Sequence, residues 1–105
     1  MAIKTYKNFI DGKWVASSSG KTFDNINPAN KKEIIGRFQS SNTNDLNKAI
    51  KSAVNAQEAW RNMPAPKRGE ILFRVGELLT KHKESLAQDM TREMGKILNE
   101  TRGDV

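Results

Sequence analysis

Bulky apolar positions alternate with polar ones as far as Asn42 and recur every three or four positions after it. A period of two belongs to strands and a period near 3.6 to helices, so residues 1–42 read as hairpins and strands and residues 43–105 as a helical segment. NFIDGKWV, from Asn8 to Val15, sets Asp11-Gly12 between apolar flanks. Both residues tolerate positive φ, which predicts a β-hairpin with arms Tyr6 to Ile10 and Lys13 to Val15 around a type I′ turn. ASSSGK, Ala16 to Lys21, follows as a connector of small residues. TFDNINPANKKEIIGRF then predicts strands at Thr22 to Ile26 and Glu33 to Phe38. They are joined at Asn27-Pro28-Ala29-Asn30, where proline sets φ and asparagine bonds its own backbone.

From Thr43, read as an N-cap, Leu46, Ile50, Ala53, Val54 and Trp60 share one face of a helix reaching about Asn62. Pro64 and Pro66 interrupt it, and Pro66 suits the first position of a second helix, which it opens, whose stripe is Ile71, Leu72, Val75, Leu78 and Leu79, ending near His82. A third, Glu84 to about Met94, spaces Leu86, Met90 and Met94 by four, with Gly95 where a left-handed residue belongs. KILNETRGDV begins a further amphipathic turn with no C-cap, which reads as a chain truncated at 105. An isolated hairpin is marginal in water, so Phe9, Ile10, Trp14 and Val15 need a surface to pack against.

Composition narrows the function classes. With 105 residues, 36% of them hydrophobic, and a mean hydropathy of -0.71, the chain has the material for one domain and little apolar residue to spare. The amino terminus lacks the apolar core of a secretory signal, and no run approaches the ~18 apolar residues of a membrane span, so a cytoplasmic location is expected. The net charge of +6 raises a nucleic-acid reading, but the charges are dispersed. Seven basic residues face three acidic ones up to Asn42, eleven face nine beyond it, and Lys31-Lys32 and Lys67-Arg68 are the only adjacent pairs. Solvated faces explain this better than a basic groove.

Candidate chemistry is sparse. Zero cysteines exclude a disulfide, Cys-ligated zinc and a thiol nucleophile in this chain, and the single His82 excludes a two-His metal motif. Seven glycines stand singly, so no phosphate-cradling loop is present. Glu84 with Asp89, or Glu93 with Glu100, would need a cleft to become an acid–base pair, and solvated helix faces are the plainer reading. His82, between Lys81 and Lys83 at a helix end, reads as a surface residue near the last carbonyls. Trp14 and Trp60 sit in apolar patterns that favour core packing over base stacking. EMGK, Glu93 to Lys96, puts a carboxylate at the negative end of a helix. A hard cation, an ion pair with Lys96, or simple solvation would each accommodate it.

Four stretches in one register, FIDGKWV, SGKTFDNINPANKKEIIG, AWRNMPAPKRGEILFRVGELL and MTREMGKILNETRGDV, resemble the amino-terminal region of the NAD(P)-dependent aldehyde dehydrogenase superfamily, from about Tyr6 to Val105. The wording of the last is most similar to branches that handle semialdehydes. The resemblance implies an α/β fold in which a β-hairpin and strand segment and three to four amphipathic helices pack on a Rossmann-like domain that this chain does not contain. It implies oxidation of an aldehyde or semialdehyde to a carboxylic acid by a cysteine thiolate, with NAD or NADP as hydride acceptor and a glutamate activating water. Those groups lie beyond the first hundred residues of family members. No catalytic or cofactor-binding residue is therefore expected here, and the chain alone should be inactive and structural. Some family members hold a monovalent cation, Na+ or K+, on two carbonyls before the Asn-Pro turn and an acidic side chain before Gly-Lys; these positions are Asn25, Ile26 and Glu93.

The partners so implied are the remainder of an aldehyde dehydrogenase chain or a neighbouring subunit, with self-association when they are absent. The competing reading is a small helical adaptor that binds a protein through its stripes or nucleic acid through its charge.

Overall fold

A computed structural model describes residues 2–105 and shows eight elements. The order is β1 (Asn8–Ile10), β2 (Lys13–Val15), β3 (Thr22–Ile26), β4 (Ile34–Gln39), α1 (Thr43–Asn62), α2 (Ala65–Lys81), α3 (Lys83–Met94) and α4 (Leu98–Asp104). They fall into two compact units. One joins the residues up to Asn25 with Ile34–Asn62, and the other joins Ile26–Glu33 with Met63–Val105.

In the first unit, Asp11 at φ 53° and Gly12 at φ 72° give the left-handed pair that a type I′ turn requires. β1 and β2 pair antiparallel across it, Phe9 facing Trp14 and Asn8 facing Val15. The first arm is shorter than expected. Lys4 to Tyr6 instead lie along β4: Thr5 bridges Arg37 in parallel, Tyr6 N–H donates to the Arg37 carbonyl (2.8 Å), and Arg37 N–H donates to that of Lys4 (2.9 Å). The Tyr6 ring stacks on Phe38 at 4.9 Å and covers Gly36, whose missing Cβ would stand 2.6 Å from Tyr6 Cε2. β3 pairs with β4, and α1 lies against β1.

Thr43, expected as the cap of α1, is instead its first residue, and the cap is Asn42, one residue earlier. The Asn42 Oδ1 accepts from Asn44 N–H (3.0 Å) and Asp45 N–H (3.3 Å), satisfying two of the first-turn donors a helix leaves open.

In the second unit α3 packs against α2 and α4. α2 opens one residue before the expected Pro66, at Ala65 directly after Pro64, and Pro66 falls second in its first turn, where a missing N–H costs nothing. α3 ends at Gly95, φ 77°, the left-handed residue foreseen there. Thr101 and Ala87 are fully buried between α3 and α4, where Thr91 and Thr101 share a hydroxyl hydrogen bond of 2.8 Å.

Ala87 is the one buried apolar residue among those described. Trp14 and Trp60, expected in a core, are 67% and 41% exposed, because the chain places little against their rings. Total accessible surface is 8437 Å². Two separate compact bodies, each of half this mass, would together expose about 7,100 Å². The chain thus carries more than ~1,000 Å² of surplus surface, on the scale of one partner's share of a standard interface. No helix among the described residues is long and apolar enough to cross a membrane.

Candidate functional site

The polar chemistry of the first unit converges on Asp45. Helix geometry puts this residue three positions after the Asn42 cap, so its carboxylate turns back to the cap: Oδ2 accepts from Asn42 N–H at 3.0 Å. The same oxygen accepts from Ser17 Oγ (2.8 Å), and Oδ1 accepts from Ser18 N–H (2.9 Å). The backbone N–H groups of Asn42 and Ser18, followed by the serine hydroxyls, hold the Asp45 carboxyl far below the usual carboxylate range. Ser17 N–H donates to Gln39 Oε1 (2.8 Å) and its hydroxyl reaches the Ser40 carbonyl (3.1 Å), so the serine connector, β4 and α1 are bound at one buried point. This clamp is absent from the sequence reading. The acid three residues after an asparagine cap was its only local sign.

In the second unit the Asn-Pro turn is the corresponding anchor. Asn27 Oδ1 accepts from Ala29 N–H (2.9 Å), the local bond expected of that residue, and its amide donates to Glu33 Oε2 (2.9 Å). Glu33 Oε1 accepts from Arg92 Nε at 2.7 Å, tying the turn to the last turn of α3. Asn27 first, and Arg92 after it, hold the Glu33 carboxyl below its ordinary value. Pro28 closes over the end of the helix: a Cβ on Gly95 would lie 3.3 Å from Pro28 Cγ.

Asn25 and Ile26 are consecutive in β3, and Glu93 stands exposed in the last turn of α3. No hydrogen bond or ion pair among the described residues engages the Glu93 side chain. Lys96 does not serve it: the ammonium lies 2.5 Å from Asp104 Oδ2 and 3.9 Å from Glu100 Oε2, and Asp104 foremost raises its pKa. Glu84, once weighed with Asp89, is paired with Arg102 (Nη2 to Oε1 2.7 Å, Nε to Oε2 2.9 Å). His82 caps through its backbone, donating N–H to the Leu78 carbonyl (3.0 Å) and accepting Ser85 Oγ on its own carbonyl (2.9 Å). No described group of three or more His, Cys, Asp or Glu is placed to hold a metal.

These anchors display apolar surface rather than a reacting centre. Phe9 and Trp14 contact each other at 5.0 Å and are otherwise open, as are Leu46, Ile50 and Val54 on α1. The α2 stripe is equally bare, and Phe73 is 79% exposed. Beside it Arg68 Nε is buried without a partner among the described residues, a donor in want of an acceptor.

Known proteins resemble this chain in sequence and fold. The chain is 43% identical over 99 residues to an alpha-ketoglutarate semialdehyde dehydrogenase of Haloferax volcanii, a match covering 94% of this chain and 20% of that protein. It is 43% identical over 102 residues to malonate-semialdehyde dehydrogenase 2 of Geobacillus thermodenitrificans, covering 97% and 21%. Among solved structures, an NAD-dependent aldehyde dehydrogenase from Sinorhizobium meliloti superimposes with a TM-score of 0.92 at 30% identity, over 98% of this chain and 21% of that one. The chain thus spans about a fifth of the length of the relatives it matches. The model of the aldehyde dehydrogenase family matches residues 14–105, and the chain belongs to that family.

Proposed function

We propose that this chain serves as the amino-terminal structural segment of an NAD(P)-dependent aldehyde dehydrogenase that oxidises a semialdehyde to a carboxylic acid. Residues 1–42 supply its hairpins and strands, and residues 43–105 supply helices to its cofactor-binding domain. The exposed apolar side chains carry this reading: the Trp14 hairpin, the α1 stripe and the α2 stripe stand open. Hydride transfer needs nucleophile, base and nicotinamide held in mutual reach, and a chain with no cysteine has no thiolate to offer. Catalysis and the dinucleotide site are therefore assigned to the rest of the enzyme, in the cytoplasm. The semialdehyde class is supported by the two curated relatives named above.

The test is to read the coding frame past Val105 and assay the product. A continuing frame with a downstream glutamate and cysteine, active on short semialdehydes with NAD or NADP while the 105-residue chain is inert, is expected. An immediate stop, or turnover by the 105-residue chain, would refute it.

A monovalent cation, Na+ or K+, on the Asn25 and Ile26 carbonyls and the Glu93 carboxylate belongs to the same proposal. The donors are hard oxygens, and Glu93 is a carboxylate with no partner among the described residues, at the negative end of α3. In the complete enzyme, NaCl or KCl should raise the melting temperature above that in choline chloride, and Glu93→Gln should abolish the difference. An equal response from wild type and variant would remove the ion.

A further inference from the structure

The tip of the β1–β2 hairpin carries reactivity that the fold itself does not use. Asp11 is the only aspartate or asparagine of the chain followed by glycine. Both turn residues are exposed, and a Cβ at Gly12 would meet nothing within 4 Å, so no neighbouring group screens the peptide bond between them. The strand ladder joins Ile10 to Lys13, and the Gly12 amide has no acceptor among the described residues. Nothing ties up its proton. The Asp11 carboxyl beside it is held by one contact at the limit of hydrogen bonding, from Ser52 Oγ at 3.4 Å, and by no ion pair among the described residues.

The other four aspartates lack this combination. Asp45 accepts from Asn42, Ser17 and Ser18, and the amide that follows it, that of Leu46, donates to the Asn42 carbonyl. Asp104 is paired with Lys96, and Val105 N–H donates to the Thr101 carbonyl. Asp24 is paired with Arg37 from within β3, and Asp89 lies inside α3, where the next amide belongs to the helix ladder.

We infer that Asp11 and Gly12 form a self-modification site, at which the side-chain carboxyl and the following amide close a succinimide ring that reopens to isoaspartate. In the first step the Gly12 nitrogen bonds to Asp11 Cγ, and the hydroxyl of the protonated carboxyl leaves with the amide proton as water. In the second step water adds to one ring carbonyl. Cleavage at Cγ restores aspartate, whereas cleavage at the former main-chain carbonyl frees that carbon as a carboxylate and routes the chain through Cβ and Cγ. Nothing is oxidised or reduced. Ring closure requires Asp11 to rotate out of the type I′ conformation, and a hairpin tip opens at small cost. The product carries one extra methylene in a turn whose register depends on two residues, so the pairing of Phe9 with Trp14 is released.

Incubation of the full 105-residue chain in mildly acidic buffer made with heavy-oxygen water, followed by peptide mapping with electron-transfer fragmentation, tests this. Isoaspartate carrying heavy oxygen is expected at Asp11, at least ~tenfold above the amount at each other aspartate, whose bonded surroundings must open first. Its rate should lie within about tenfold of that in the free peptide NFIDGKWV, because the tip opens easily. Asp11→Glu, whose ring would need a sixth member, should stay unmodified at that position. In the chromatographically separated product, amide exchange across β1 and β2 should be faster than in the unmodified chain. Isoaspartate spread evenly over the aspartates, formation more than about tenfold slower than in the peptide, or hairpin exchange unchanged by the modification would overturn the proposal.

Discussion

Three residues show how single positions hold each unit together. Gly36 is bare because Tyr6 lies on it, and an added Cβ would meet the ring at 2.6 Å. Gly36→Ala should therefore destabilise the chain by about 1–3 kcal/mol in urea unfolding. Gly95 sits at φ 77°, a conformation costly for an L side chain, with Pro28 close by. Gly95→Ala should cost on the order of 1–2 kcal/mol, and undiminished stability would show that the helix end is not held as described. Asp45 acts through charge. Its folded pKa lies below the unfolded value, so its contribution is present above about pH 4 and is lost as pH falls toward the folded pKa. Asp45→Asn should be less stable than wild type at pH 7, with the gap closing below pH 4. A gap independent of pH would mean that the carboxylate charge is irrelevant to the clamp.

Elements written by local chemistry were legible in advance. The Asp11-Gly12 hairpin turn, β3 at Thr22–Ile26, the proline-framed α2 and the Gly95 helix end each follow from residues adjacent in sequence. What escaped was non-local. β1 stops short because Lys4 to Tyr6 pair with β4 some thirty positions on, and periodicity has no term for such a partner. The Asp45 clamp joins residues as far apart as Ser17 and Asp45 through polar side chains that follow no period. The cap of α1 was placed at Thr43, although Asn42 bonds the first-turn amides. Asn42→Ala should reduce stability by about 1 kcal/mol, and Thr43→Ala by much less, in the same unfolding measurement. The two tryptophans carry a different lesson: an apolar pattern reports that a ring seeks cover, not that this chain provides it.

At the scale of the whole molecule, exposed surface is what supports the proposed role. The chain exposes 8437 Å² in total, Ala87 is the one buried apolar residue among those described, and the large apolar side chains of the hairpin, α1 and α2 stand open. Family membership says what kind of protein carries such a segment, and the bare stripes are the faces the proposed role would cover. If the hairpin and stripes are docking faces, polar substitution on them should leave each unit's anchors intact. Leu78→Asp or Trp14→Ser should therefore reduce dye binding by the isolated chain while its helical circular dichroism changes little. The most direct measurement is sedimentation velocity of the purified 105-residue chain across a micromolar concentration series. Species heavier than the 11.8 kDa monomer, growing with concentration, are the expected result. A single monomeric boundary at every concentration would show that these faces need no partner and would contradict the account.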